Sequence, residues 1–306
     1  MTALPVIIDC DPGKDDAFAL FLALALTEVF DVRAVTTVAG NVPVDRTARN
    51  ARRIVEAAGC PDVPVFAGCA RPMLKTLQTA EEAHGHDGLG GAGLPEPLME
   101  PQASHAVTAL IGLLDDMTWP TTIIALGPLT NIALVLIARP DLAARIGHLA
   151  VMGGTRDRGN VTDFAEFNIH VDPHAADVVL SVAAPVSLVT LDRTRLLRPP
   201  EAWIEGMREC GQPGMALASM WREFPVPLHD VAATSMLAWP DLFDFEPCTI
   251  RVETRDTPQH GRTIFTRGSG SARIVAAIDR EGLFGRLRQA MERYATQAVT
   301  VAGTPG

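Results

Sequence analysis

Ten consecutive residues, Ala17 to Leu26 (AFALFLALAL), carry no polar face. A helix made from them cannot lie on a surface and must be covered on most sides, which calls for layers of structure around it. The run is well short of the roughly 20 residues that a membrane-spanning helix needs. Immediately before it stands PVIIDCDPGKDD, an apolar stretch that ends in four aspartates, Asp9, Asp11, Asp15 and Asp16. Strand, Pro12-Gly13 turn and buried helix read as the first βα unit of an α/β fold.

The same alternation recurs. VRAVTTV precedes a segment from Val44 whose apolar face (Val44, Thr47, Ala48, Ala51, Ile54, Val55, Ala58) opposes a charged one, and TTIIAL precedes PLTNIALVLIA. Further strands are expected at 148–152 and 186–191, with a helix between them that Asp172 caps ahead of Pro173. CTIRVET, RTIFT and ARIVAAID read as late strands, a hairpin plus one, before a closing helix from Glu281 to Tyr294. The expected architecture is a mainly parallel central sheet with flanking helices, an open Rossmann-like core. It forms one domain over 1–306, with a small helical cap inserted around 200–228, where Pro and Gly break short helical patterns.

Composition narrows the partners. A net charge of −10, without any Lys/Arg run, argues against nucleic acid and anionic membrane surfaces. Five scattered cysteines form neither a disulfide framework nor a Cys-rich zinc site, and a reducing, cytoplasmic setting is expected.

The aspartates are the chemical clue. Period-two alternation sends Asp9 and Asp11 to one side, and Asp15 and Asp16 fall in the first helical turn, so all four are expected to converge at the carboxyl end of a parallel strand. Two unscreened carboxylates 4 Å apart repel by about 1 kcal/mol in water and about 4 kcal/mol at an effective dielectric of 20, so a cation is expected among them. An all-oxygen set favours Ca²⁺ or Mg²⁺ over zinc. An EF-hand fails, because Lys14 stands at its turn glycine and Leu20 at its terminal acid. Gly88, Gly90 and Gly93 formally match a dinucleotide fingerprint, but they follow no strand and open no helix; a mobile lid over the site is the expectation for HGHDGLGGAGLP.

DCDPGKDDAFAL resembles the Asp-x-Asp-Pro-Gly-x-Asp-Asp signature of the nucleoside hydrolases, of which the inosine–uridine-preferring type is best known. TTVAGNV (36–42), ALGPLTNIAL (125–134), VMGG (151–154), AEFNIHVDPHAA (165–176) and LHD (228–230) resemble further blocks of that family in the same order. The resemblance implies a Ca²⁺ site made by Asp11, Asp15, Asp16, Asp230 and the carbonyl of Leu126, with Asp15 either bidentate or on the ribose 2′-hydroxyl. It implies that Asp11 takes a proton from the attacking water, oriented by Asn41. It also implies that Asn160, Glu166 and Asn168, with Met152 and Phe167 of the matching blocks, bind the ribose. His229 or His84 would protonate the departing base. Glu166 and Asn168, two apart, are expected on one face of an extended segment.

Two departures stand out: Val231 replaces the proline that the family usually has after His-Asp, and Lys14 is an uncommon occupant of the variable signature position. Lys14 is expected to bring a cation to the carboxylates and lower their pKa values. The expected activity is Ca²⁺-dependent hydrolysis of the N-glycosidic bond of ribonucleosides for base salvage, in a homodimer or homotetramer. The alternatives are a catalytically silent Ca²⁺/ribose-binding protein and a metal-dependent phosphatase. Base preference is expected to depend on Trp221, Phe224 or His84.

Overall fold

The computed structural model describes residues 2–116, 120–182, 184–222, 225–268 and 270–302. Its spine is a nine-stranded sheet in the order β3-β2-β1-β4-β5-β6-β9-β7-β8. The strands are β1 (Leu4–Cys10), β2 (Phe30–Thr37), β3 (Val65–Ala67), β4 (Thr121–Ala125), β5 (Ile146–Met152), β6 (Val186–Val189), β7 (Phe243–Val252), β8 (Thr263–Arg267) and β9 (Ala272–Ile278). The first six pair in parallel, and β9 continues the parallel run beside β6. β7 is antiparallel to both β8 and β9, so the late strands form the expected hairpin plus one. β7 begins at Phe243, earlier than the apolar pattern indicates, because Phe243 to Pro247 pair with β9 while only Phe243 of the five is buried, so regular alternation starts at Cys248.

Order 3-2-1-4-5-6 is that of the doubly wound dinucleotide-binding folds, in which ligands lie beyond the strand ends where the order reverses. Here that switch point falls between β1 and β4. Asp11 follows the end of β1 and Leu126 follows the end of β4, so topology alone brings these two positions together.

The apolar helix spans Lys14–Ala25, and all twelve of its residues are buried. Helices Val44–Ala57, Gly211–Met220, His229–Ala238 and Arg280–Ala302 pack around it. Asp16 starts it, accepting the backbone N–H of Gly13 at 3.0 Å and of Asp11 at 3.2 Å. Helix Val44–Ala57 buries Thr47, Ala48, Ala51, Ile54 and Val55 as its pattern predicts. Asp172 caps helix Pro173–Leu180 through a bond from the Ala175 N–H.

The glycine-rich segment after His84 departs from the lid expectation. Leu89 is buried in the core, Asn50 Nδ2 donates to the carbonyls of Pro12 and Asp87, and the Asp87 carboxylate accepts the N–H groups of Leu89 and Gly91. Apolar burial and side-chain to backbone bonds thus knit this loop to the first βα turn.

Candidate active site

Asp15, Asp16 and Asp230 are buried and each offers a carboxylate oxygen within 4.8 Å of the others; they form the sole such group of three or more His, Cys, Asp or Glu residues among the described residues. Asp15 and Asp16 come from the first turn of helix Lys14–Ala25, and Asp230 from the first turn of helix His229–Ala238, which packs against it. Burial, then mutual repulsion, pushes these carboxyls up: Asp15 to about 7 and Asp230 well above the ordinary value, while burial raises Asp16 despite its backbone bonds. Asp15 Oδ1 is buried without a hydrogen-bond partner. Clustered carboxylates, an orphaned oxygen and raised pKa values fit a divalent cation, which would relieve all three.

Asp11 stands beside this group, 1% exposed. Burial and the Asp16 charge push its carboxyl well up. Asn41 secures it: the Asn41 N–H donates to Asp11 Oδ2 at 2.7 Å, and Asn41 Nδ2 donates to the Asp11 carbonyl and to Asp16 Oδ2. The carboxylate fits because both flanking loops carry glycine. A Cβ at Gly40 would lie 2.0 Å from Asp11 Oδ2, and one at Gly127 would lie 2.4 Å from Oδ1.

Asp9 does not join the cluster. Its Oδ1 accepts Thr36 Oγ1 at 2.5 Å and Asn131 Nδ2 at 2.8 Å, which binds β1 to β2 and to helix Thr130–Ala138. Strand alternation stops at Cys10, so parity with Asp11 carries no information about where Asp11 turns. The third carboxylate of the cluster is instead Asp230, from the far end of the chain.

Lys14 also departs from expectation. It is fully buried, but its stem turns to the glycine loop: a Cβ on Gly90 would meet Lys14 Cε at 2.6 Å. The ammonium helps burial hold His84 low, at about 3, and the neighbouring carboxyls are raised rather than lowered.

A cavity of about 700 Å³ opens over this group. Asp15, Asn41, His84, Leu126, Met152, Asn160, Glu166, Phe167, Asn168, His229 and Asp230 line it, joined by Gln78 to Ala83, Val161, Leu191 and Val226. Asp11 and Asp16 are not part of its wall. Glu166 and Asn168 share the cavity, but not as an extended pair: Glu166 is the N-cap of helix Phe167–Val171, and its oxygens accept the N–H groups of Gly154, Asn168 and Ile169. Burial raises Glu166 to about 7. Asn168 Nδ2 donates to the carbonyls of Leu126 and Met152.

Two histidines line the cavity. Burial lowers His229 to about 4, with help from Arg195 and Arg198. Trp221 is not in the wall; it is buried edge-on against Phe18, and its Nε1 donates to the Val226 carbonyl. Its size and apolarity suit the core equally well, which its position in the sequence does not reveal. Phe224 lies outside the described residues. Gln78, Ala80 and Glu82 escaped the sequence reading, since a polar loop without periodicity gives no sign of facing a ligand.

A doubly wound sheet with a carboxylate cluster and a polar cavity at its switch point belongs to the class of α/β proteins that bind small ligands at strand ends. The family model for inosine-uridine preferring nucleoside hydrolases matches residues 6–285, and the chain belongs to that family. It is 37% identical over 311 residues to the pyrimidine-specific ribonucleoside hydrolase RihA of Salmonella agona (strain SL483), covering 96% of this chain and all of the relative. Among solved structures, a plant nucleoside hydrolase, the PpNRh1 enzyme, superposes with a TM-score of 0.88 at 30% identity, over 94% of this chain and 99% of that one. A purine-preferring ribonucleoside hydrolase from Gardnerella vaginalis superposes at 0.89 with 26% identity, over 96% and 99%. Among the described residues, no helix is long and apolar enough to cross a membrane.

Proposed function

We propose that this chain is a Ca²⁺-dependent ribonucleoside N-ribohydrolase that releases free ribose and a nucleobase, by preference a pyrimidine. The observation that carries the reading is the convergence of Asp15, Asp16 and Asp230, two of which, Asp15 and Asp230, line the cavity, with Asp15 Oδ1 left without a partner. The pyrimidine preference is supported by the printed specificity of the relative that is 37% identical over nearly the whole chain.

Asp11, Asp15, Asp16, Asp230 and the Leu126 carbonyl would hold the cation. When bound, the ion supplies a positive centre that grips a vicinal diol and acidifies a water. Asp11, fixed by Asn41, takes the proton of the attacking water as its oxygen bonds to C1′. The C1′–N bond breaks with its electron pair passing to the base, which His229 protonates. Asn160, Glu166, Asn168, Met152 and Phe167 frame the ribose, where carboxylate and amide oxygens oppose the positive charge that develops on the ring. His84 borders the base. No arginine or lysine lines the cavity among the described residues, so a transferred phosphate would find no cationic clamp there. Under this reading the enzyme serves base salvage in the cytoplasm as a homodimer or homotetramer, which cell fractionation and sedimentation test.

The deciding assay measures reducing sugar released from uridine, cytidine, inosine, adenosine and guanosine, before and after chelation and after reloading with Ca²⁺ or Mg²⁺. Hydrolysis led by uridine or cytidine, lost on chelation and restored best by Ca²⁺, is the expected result. Full rates in stripped protein, or no nucleoside cleaved at all, would end the proposal.

A further inference from the structure

The two cavity histidines are held from behind by different chemistry. His84 Nδ1 accepts the backbone N–H of Lys14 at 3.1 Å. A peptide N–H can only donate, so this nitrogen keeps its lone pair and the neutral ring carries its proton on Nε2. The ring packs against Gly13, where a Cβ would stand 2.3 Å from Nδ1, and the Gly90 N–H donates to the His84 carbonyl at 2.8 Å.

His229 Nδ1 lies 2.6 Å from Thr194 Oγ1. Thr194 is fully buried at the end of the single turn Leu191–Thr194, just past the carboxyl end of β6. A hydroxyl both donates and accepts. Its other contact is the Leu191 carbonyl at 3.4 Å. When Nδ1 carries hydrogen, the hydroxyl accepts it and turns its own hydrogen towards Leu191; when Nδ1 is bare, the hydroxyl donates to it. Either tautomer of His229 is therefore accommodated in one ring orientation.

We propose that Thr194 is a positioning residue of the reaction, holding the His229 ring by a hydroxyl that suits both tautomers. His229 can then meet the leaving base through Nε2 as donor or as acceptor, whereas His84 can meet it only as a donor. The proposal rests on the reading that His229 serves the departing base. Thr194 touches no substrate in this scheme and acts through the imidazole alone.

The test compares uridine with p-nitrophenyl riboside, whose leaving group departs without a proton donor. In Thr194→Val, which keeps the shape and removes the hydroxyl, the uridine-to-nitrophenyl ratio of kcat falls at least about tenfold, a fraction of what general acid catalysis contributes. KM stays close to the wild-type value, and Thr194→Ser restores the ratio. Equal losses on both substrates, or no loss on either, overturn the proposal. His229→Ala separates it from the reading beneath it: an unchanged ratio there removes the role of His229 itself, while a fall there without one in Thr194→Val removes Thr194 alone. Nitrogen-15 NMR of the histidine rings gives a readout free of turnover, expected to show His84 wholly in the Nε2–H form; an Nδ1–H form for His84 also overturns the contrast.

Discussion

The side-chain amide of Asn168 donates to the backbone carbonyl of Leu126 at 2.6 Å, joining the first turn of a short helix to the loop that leaves β4. That carbonyl caps the switch point of the sheet, and the bond fixes its direction while leaving its second lone pair available.

Asn168→Ala is therefore expected to lower kcat/KM by about a hundredfold or more, the scale on which preorganised dipoles act. Its effect on stability should be about 1–3 kcal/mol, as for the loss of its two bonds to the Leu126 and Met152 carbonyls. Steady-state kinetics beside chemical unfolding checks both; a variant that loses stability and activity in proportion contradicts the assignment.

Gly40→Ala and Gly127→Ala each drive a methyl group to within 2.0 and 2.4 Å of the Asp11 carboxylate. Both are expected to abolish turnover by displacing Asp11. Gly112, in helix Ala106–Asp116, has open space around its Cβ position, and Gly112→Ala should stabilise the protein by roughly 0.5–1 kcal/mol at unchanged rate. Thermal unfolding and an activity assay on the three variants give the contrast.

If the proposed cation sits among Asp15, Asp16 and Asp230, removing it leaves these buried carboxylates to repel one another. Cation at about 100 times its Kd should stabilise the protein by about 2.7 kcal/mol over the chelated form. Asp230→Asn and Asp16→Asn are expected to remove most of that increment, readable by calorimetric titration and by the shift in Tm. An undiminished increment in both variants would place the ion elsewhere.

Glu166 gives the chelated protein a pH signature. Burial raises it from 4.5 to about 7 in the folded state, so its contribution to stability is fully present below about pH 4.5 and is lost as pH rises through about 7. Against Glu166→Gln, which cannot titrate there, the wild type should lose up to about 3 kcal/mol across that window. Urea unfolding at several pH values, in chelator throughout, would show a flat difference if the carboxyl ionised normally.

What the sequence disclosed was local. The strand, turn and buried helix of the first unit were legible because their residues are neighbours, and so were the Asp172 cap and the buried stripe of Val44–Ala57. Fold class followed from alternation, and the family block LHD pointed to Asp230. Inference failed where a regular period was carried past the end of its element. Asp9 is a strand residue bonded to Thr36 and Asn131, while Asp11 already belongs to the turn. Glu166 and Asn168 form a capped helix, since Glu166 spends both oxygens on backbone N–H groups. Trp221 and Lys14 have side chains that fill core space, a destination decided by partners far along the chain. Thr194 offered no signal, being one of many threonines until the fold sets it against His229.

Asp230 reaches its two partners only when helix His229–Ala238 docks on helix Lys14–Ala25. A nascent chain emerging from the ribosome thus carries the signature aspartates long before it carries their companion, and it has nothing yet with which to trap an ion. If the cluster holds the proposed cation, its uptake is a late seal on a nearly finished molecule, and a fragment ending ahead of residue 229 should not acquire it.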